Sequence, residues 1–264
     1  MRVDLHNHTK YCNHASGSMA EYVQRACMLG IDVFGFSCHA PMAFDTKYRM
    51  DFDTLPRYID EVHRLQESTG TGDMEILCAL EVDYILGRED LLAREVLTAK
   101  LDYLIGSVHF LGTWGFDNPE FVGEWHKRGV EDTWNLYLDS MDGLVRSGHF
   151  QVIGHLDLPK IFGARLPSRL FNKLHDILEL ARDFGLVLEV NASGLRKPIG
   201  EQYPSLEILN AAREIGMHIT LGSDAHEVDH VGYGYSSCLK IIKDIGFREA
   251  AVFRDKTKIL VDLD

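Results

Sequence analysis

The chain alternates short apolar runs with longer amphipathic segments along its whole length, and this alternation limits the folds that it can adopt. The apolar runs predict strands at residues 3–6, 33–37, 76–82, 103–108, 151–154, 187–190, 218–222 and, as an eighth candidate, 250–253. Apolar residues at helical spacing predict helices at residues 18–29, 55–69, 89–100, 131–147, 168–184, 205–215 and 237–245. Strands that alternate with helices in this way predict an α/β domain with a parallel sheet.

No linker rich in Ser, Gly or Pro divides the sequence, and no fixed repeat occurs, so residues 1–264 are predicted to form one domain. A doubly wound open sheet and a closed barrel both fit the alternation. Nearly every predicted strand ends in a polar side chain, and a barrel gathers the carboxyl ends of all its strands at one rim. An open sheet would spread those ends along a line. We therefore expect a TIM-like barrel with its site at that rim.

Metal-binding residue types follow the predicted strands. His6 and His8 lie two positions apart on the first strand, so both imidazoles project to the same face. The residues of this kind at or just after strand ends are His6, His8, His14, His39, Glu81, His109, His155, Asp224 and His226. Seven histidines and two carboxylates are more than one tetrahedral ion can use. The remaining six histidines are interpreted as structural or surface residues.

The charge balance excludes several classes of partner. The chain has 27 basic and 40 acidic residues and a formal net charge of −13, whereas phosphate backbones and anionic membranes require a cationic face. No apolar stretch reaches the length of a membrane span, and the N-terminus lacks signal-peptide character. The five cysteines show no CxxC spacing and are interpreted as reduced thiols. We expect a cytoplasmic enzyme with no nucleic-acid or membrane partner; its oligomeric state is left open.

The residues at the strand ends resemble the metal ligands of the polymerase and histidinol phosphatase (PHP) family. The resemblance covers essentially the whole chain and is greatest to the stand-alone histidinol-phosphate phosphatases. It implies a distorted barrel of about seven β/α units. The stretches that carry it include Cys38-His39-Ala40-Pro41, Glu81-Val82-Asp83-Tyr84, Ser107-Val108-His109-Phe110-Leu111, Gly154-His155-Leu156-Asp157 and the run from Asn191 to Pro198.

The resemblance also implies three divalent ions, and none of the nine expected ligands is replaced. One ion would be held by His6, His8, Glu81 and Asp224. A second would be held by Glu81, His109 and His155, with Glu81 as the bridge. The third would be held by His14, His39 and His226. A carboxylate can bridge two cations where a neutral imidazole cannot, and nitrogen and oxygen ligands suit zinc, manganese or iron. The sequence does not distinguish among these metals.

The expected reaction is hydrolysis of a small phosphate monoester, L-histidinol phosphate, to L-histidinol and phosphate, a step of histidine biosynthesis. The nucleophile would be a metal-bridging hydroxide, and no GxSxG or GxxxxGK[ST] motif indicates another route. The expected catalytic residues are Glu81, Asp224, His226 and Arg196. Arg196 is also expected to bind the substrate phosphate through its planar guanidinium. Further candidates for substrate binding are Arg165, Lys160 and Asp83.

Several alternatives remain open at this stage. A PHP phosphoesterase could act on another small phosphate ester or a nucleotide. An amidohydrolase would use the first-strand histidines but leave His14, His39 and His226 without a role. A non-catalytic metal-binding domain is the third alternative.

Asp4 and Asp157 are candidates to orient imidazoles, and Asp157 is also a candidate leaving-group acid. The segment 111–128 is expected to form either a lid or a packed wall.

Overall fold

The computed structural model of the chain describes residues 1–68 and 74–263. The described residues form the strands β1 Val3–Asp4, β2 Val33–His39, β3 Glu75–Asp83, β4 Tyr103–Ser107, β5 Phe110–Leu111, β6 Trp114–Gly115, β7 Val152–Ile153, β8 Val187–Asn191, β9 Ile219–Gly222, β10 Glu249–Arg254 and β11 Thr257–Asp262. The α-helices are α1 Met19–Met28, α2 Leu55–Ser68, α3 Arg94–Leu97, α4 Trp125–Arg128, α5 Val130–Ser147, α6 Phe171–Asp183, α7 Leu206–Glu214 and α8 Tyr235–Ile245. Thr69, the predicted last residue of the second helix, and Asp264, the last residue of the predicted domain, lie outside the described residues.

Seven strands form one parallel sheet in the order β1-β2-β3-β4-β7-β8-β9. The backbone N–H of Leu5 donates to the carbonyl of Leu221 at 2.8 Å, and that of Asp224 donates to His6 at 2.7 Å. These two bonds bring the chain after β1 alongside β9, so that the sheet forms a nearly closed barrel. The expectation of a distorted barrel of seven β/α units is thereby confirmed.

The eighth predicted strand does not belong to this barrel. Residues 250–253 lie within β10, which pairs antiparallel with β11 through a tight turn at Asp255 and Lys256. Both turn residues have positive φ, which fits a hairpin connection rather than a crossover helix. The barrel therefore closes at β9, and the C-terminal hairpin packs beside it.

Buried apolar side chains hold the barrel strands and helices together. Val33, Phe34 and Phe36 on β2 are fully buried, as expected for a parallel strand that is covered by helices on one side and by the barrel interior on the other. Helix α1 begins with a capping box, in which Glu21 N–H bonds the Ser18 hydroxyl and Ser18 N–H bonds the Glu21 carboxylate. No helix in the described part of the chain is long and apolar enough to cross a membrane.

One predicted helix differs from the structure. The single helix expected at 89–100 is broken into a 3-10 turn at Glu89–Leu91 and the short α3, since Leu92 leaves the helical region at ψ 88°. The Glu89 carboxylate accepts bonds from Tyr84 Oη at 2.8 Å and Gly87 N–H at 3.2 Å, and these hold the turn after β3. In the segment 111–128, the indole of Trp125 donates to the Phe116 carbonyl at 2.8 Å, and the buried Trp125 ring belongs to the main hydrophobic core.

Candidate metal centre

The two histidines after β1 lie side by side below the rim. The Nε2 atoms of His6 and His8 are 3.1 Å apart, and both side chains are fully buried. The residue between them, Asn7, forms a parallel bridge with Ala225, which keeps this stretch extended although β1 itself ends at Asp4. An extended backbone sends positions 6 and 8 to the same face, as their spacing predicted.

Glu81, on β3, is at the middle of the cluster. Its Oε1 is 3.0 Å from His155 Nε2 and 3.6 Å from His109 Nε2. Its Oε2 is 3.5 Å from His6 Nε2 and 3.6 Å from His8 Nε2. The two oxygens therefore face two different groups of imidazoles, which is the geometry that a carboxylate shared between two ions requires. Ser107 Oγ donates to Oε1 at 2.6 Å and fixes the carboxylate from below.

The other four residues of the predicted set lie on the same side of the barrel. Asp224 Oδ1 is 3.2 Å from His8 Nε2 and 3.9 Å from His6 Nε2. The Nε2 atoms of His14 and His226 are 3.0 Å apart. His39 lies 3.0 Å from Glu81 through its Nδ1 atom, and its ring centroid is 5.2 Å from that of His14. The structure thus brings all nine residues together.

The distances between potential ligand atoms group the nine residues somewhat differently from the predicted sets of ligands for each ion. Potential ligand atoms lie within 4.8 Å of one another in the groups His6–His8–Glu81, Glu81–His109–His155 and His8–His39–His226. The second group is the same as the one predicted. In the third, His8 stands with His39 and His226, while His14 adjoins through its contact with His226.

The charges of the cluster suit divalent cations. Burial would raise the pKa of Glu81, but the imidazoles of His39, His6 and His109 lower it well below its usual range. Burial lowers the pKa of His39 to about 4, although Glu81 opposes this. Ionised carboxylates among imidazoles whose Nε2 atoms lie about 3 Å apart form a set of nitrogen and oxygen ligand atoms directed at one another, as in a metal centre. These residues fit the metal ions that the sequence implies.

Partners at the opposite ring nitrogen hold several imidazoles in place. His6 Nδ1 donates to Glu189 Oε1 at 2.6 Å, and His109 Nδ1 donates to Asp83 Oδ1 at 2.7 Å. His14 Nδ1 bonds the Cys12 carbonyl at 2.9 Å. Each contact leaves Nε2 directed at the cluster, and such partners usually orient metal-binding histidines.

Glu189 was missed by sequence reasoning, although a signal was available. It is a charged residue inside the apolar run 187–190, and it shares its strand face with Asn191. Besides His6, its carboxylate accepts the backbone N–H of His155 at 2.8 Å and the amide of Asn191 at 3.1 Å. One buried carboxylate therefore joins two predicted ligands from different strands.

Asp83 and Arg49 form a second buried unit beside the cluster. Asp83, expected to contact substrate, lines the cavity above the cluster and also bonds His109 and the guanidinium of Arg49, whose Nη1 donates to Asp83 Oδ2 at 2.9 Å. Burial would raise the pKa of Asp83, but His109 and Arg49 hold it below its usual range. Arg49 was also missed, because nothing in its surrounding sequence distinguishes it from a surface arginine.

The two candidates for orienting an imidazole have other partners. Asp4 accepts bonds from Ser223 N–H at 2.8 Å, Ser223 Oγ at 2.7 Å and Gly232 N–H at 3.1 Å. It thereby fixes the turn in which Asp224 adopts φ 53°, a left-handed conformation, so it positions a carboxylate rather than an imidazole. Asp157 Oδ2 accepts from Ser205 N–H at 2.8 Å and lies 2.9 Å from Lys160 Nζ. Among the described residues, neither aspartate bonds a histidine.

A cavity of about 570 Å³ opens above the cluster, and only some of the predicted phosphate-binding cations line it. Arg196 lines it and is held in place by bonds from Nη1 to the Ser223 carbonyl at 2.9 Å and from Nη2 to the Asp224 carbonyl at 2.8 Å. Lys160 is buried away from the cavity and donates to the Gln202 carbonyl at 2.7 Å. Arg165 is exposed, pairs with Glu201 at 2.8 Å and is also outside the lining. Of these three cations, the structure brings only Arg196 to the cluster.

Comparison with known proteins gives matches along most of the chain. The PHP domain family matches residues 4–193. A protein of Deinococcus radiodurans named "Probable histidinol-phosphatase" is 40% identical over 247 residues, covering 93% of this chain and 94% of its own. The histidinol-phosphatase of Bacillus subtilis is 30% identical over 90% of this chain and 98% of its own. The crystal structure of histidinol phosphate phosphatase from Lactococcus lactis, complexed with zinc, L-histidinol and phosphate, superposes with a TM-score of 0.85 at 22% identity, covering 98% of both chains.

Proposed function

Because the chain belongs to the PHP domain family, we propose that it is a metal-dependent phosphatase that hydrolyses L-histidinol phosphate to L-histidinol and phosphate. The observation that carries this proposal is the 40% identity to the relative from Deinococcus radiodurans across 93% of the chain. The nine-residue cluster beneath a cavity large enough for a small ester supports it. We extend the proposal to a cytoplasmic enzyme of histidine biosynthesis, formed by residues 1–264 as one domain; all five cysteines are free thiols.

The proposed ligand set is the nine residues of the cluster. His6, His8 and Asp224 would hold one ion together with Glu81 Oε2, and His109 and His155 would hold a second with Glu81 Oε1. His14, His39 and His226 would hold a third, for which His8 is also within reach. Zinc, manganese and iron all suit these ligands. When bound, the ions supply Lewis acidity for the phosphoryl oxygens and activate water at neutral pH.

The side chains around the ions bind and orient the substrate in this proposal. Arg196 lines the cavity with its guanidinium anchored to two backbone carbonyls, and its remaining N–H donors can hold phosphoryl oxygens. Glu189 and Asp83 hold His6 and His109 with Nε2 toward the cluster. In this proposal the ester is held between Arg196 and the nine-residue cluster. Holding it there orients its phosphorus for reaction, which lowers the entropic part of the barrier.

A substrate panel on metal-loaded protein tests the proposal. Phosphate release is measured from L-histidinol phosphate, a sugar phosphate, a nucleoside monophosphate and a nucleoside bisphosphate under matched conditions. The proposal predicts the highest kcat/KM for L-histidinol phosphate, by about tenfold or more. A higher kcat/KM for any other ester would show that ester, rather than L-histidinol phosphate, to be the preferred substrate. Absence of phosphate release from all of them would refute phosphatase activity.

A further inference from the structure

We infer that Asp117 selects phosphate esters whose alcohol part carries an ammonium group, by forming an ion pair with that group inside the cavity. This inference rests on the proposed function and adds to it the residue that would recognise the amine. Asp117 follows the β5–β6 hairpin and lines the cavity. It has no part in the set of nine predicted ligands.

Asp117 differs from the other acidic residues of the cavity in having no basic partner. Five acidic residues line the cavity: Asp45, Glu81, Asp83, Asp117 and Asp224. Glu81 and Asp224 contact imidazoles, and Asp45 and Asp83 contact Arg49. Within residues 1–68 and 74–263, no lysine, arginine or histidine nitrogen lies within 4.0 Å of the Asp117 carboxylate.

The surroundings of Asp117 make an unpaired carboxylate costly. Asp117 is half-buried; burial raises its pKa, and the imidazole of His109, the backbone N–H of Asp117 itself and the imidazole of His155 oppose that shift only in part. A charged group taken out of water loses hydration free energy unless a counter-charge or hydrogen-bond donors replace it. An ammonium group on the ligand would supply both a counter-charge and hydrogen-bond donors. Binding of a cationic group beside Asp117 is therefore favoured.

The remaining free charges of the cavity complete the match to such a ligand. Arg196 and Lys197 line the cavity and lie beyond ion-pair distance of every carboxylate in the described residues. They follow β8, whereas Asp117 follows the hairpin after β4, and β7 lies between these strands in the sheet. The cavity therefore offers unpaired cations on one wall and an unpaired anion on another. A phosphate monoester with a protonated amine carries the complementary pair of charges.

The test compares L-histidinol phosphate with its deamino analogue, 3-(imidazol-4-yl)propyl phosphate, on the metal-loaded wild type and on Asp117→Asn. For L-histidinol phosphate, Asp117→Asn should raise KM by about 10- to 100-fold and change kcat little, because a charge-assisted contact is lost. For the analogue, kcat/KM should stay within about twofold. Equal losses on both substrates, or no loss on either, would overturn the inference.

Glu120→Gln is the matched control, since Glu120 is an exposed carboxylate in the same segment and outside the cavity lining. It should leave both substrates unaffected. Calorimetric binding of L-histidinol and of its deamino alcohol to the metal-loaded protein provides a readout that needs no turnover. If the wild type binds L-histidinol more tightly than the deamino alcohol and Asp117→Asn does not, the inference is upheld. This holds even if no phosphate is released and the proposed function is refuted. Wild-type protein with no preference for the amine would overturn the inference while leaving the proposed function intact.

Discussion

Glu189 Oε1 lies 2.6 Å from Nδ1 of His6, in a contact buried from solvent. The bond joins the middle of β8 to the chain after β1, and it leaves His6 Nε2 directed toward Glu81 and Asp224. Because Glu189 also holds the backbone of His155, it couples the positions of two predicted ligands. A residue that contacts neither the cavity nor the predicted ions can thus determine how well they are bound.

Replacement of Glu189 should weaken metal binding without removing a ligand. We expect Glu189→Gln to lower metal affinity by about 10- to 100-fold, because an amide orients the imidazole less strongly and adds no negative charge. Competition with a chromophoric chelator measures the affinity. Glu249→Gln changes an exposed glutamate on β10 and should have no effect. Unchanged affinity in Glu189→Gln would show that the contact is structural only.

Loss of the shared carboxylate should affect more than one ion. We expect Glu81→Gln to lower the metal content by two ions per chain and to reduce kcat by about 100-fold or more, since both oxygens face imidazole groups. Asp102→Asn is the control, since it changes a half-buried carboxylate before β4 that accepts the Cys78 N–H rather than holding a predicted ligand. It should retain the metal content in elemental analysis. Equal metal content in Glu81→Gln and the wild type would contradict the bridging arrangement.

The cavity arginine should affect substrate binding rather than metal content. We expect Arg196→Ala to raise KM by about tenfold or more with the metals retained, because two charge-assisted donors to phosphate are lost. Arg165→Ala is the control, since Arg165 is exposed and paired with Glu201 outside the lining. Steady-state kinetics with elemental analysis separates the effects. If Arg165→Ala raised KM and Arg196→Ala did not, the assignment of the phosphate-binding cation would be reversed.

The capping box of α1 should contribute to stability and not to activity. Ser18→Ala should lower the free energy of unfolding by about 1 kcal/mol. Hydrogen bonds from Ser18 lower the pKa of Glu21 below its ordinary value of 4.5. A depressed carboxylate pKa stabilises the fold above the ordinary value, and the gain is lost as the pH falls through the lowered one. Urea unfolding should therefore show that the deficit of Glu21→Gln at pH 7 shrinks in acid; a deficit independent of pH would contradict this.

The barrel and the nine-residue cluster could be predicted because both depend on features local in sequence. Each apolar run marks a strand, and a barrel brings the residues after its strands to one rim whatever their separation along the chain. Glu81, His109 and His155 come together in this way from β3, the loop after β4 and the loop after β7. The break in the predicted helix 89–100 was not visible, because the apolar spacing of this segment does not reveal the non-helical backbone of Leu92.

Residues whose roles depend on long-range partners could not be assigned from the sequence. Asp4 accepts a hydrogen bond from Ser223, which lies 219 positions away in the sequence. That Asp4 and His6 share a strand face did not predict this contact with the turn before Asp224. Lys160 follows a barrel strand as a phosphate-binding residue would, yet Asp157 and Gln202 hold it away from the cavity. Position along a strand predicts which rim a side chain reaches, whereas its partner depends on which loops fold over that rim.

Metal titration of the stripped protein tests the central claim most directly. The protein is freed of metal with a chelator, divalent ion is added in known equivalents, and phosphate release from L-histidinol phosphate is followed at each step. We predict no release from the stripped protein and full activity when three ions per chain are bound. Full activity in the stripped protein, or saturation at fewer than three ions, would contradict the account.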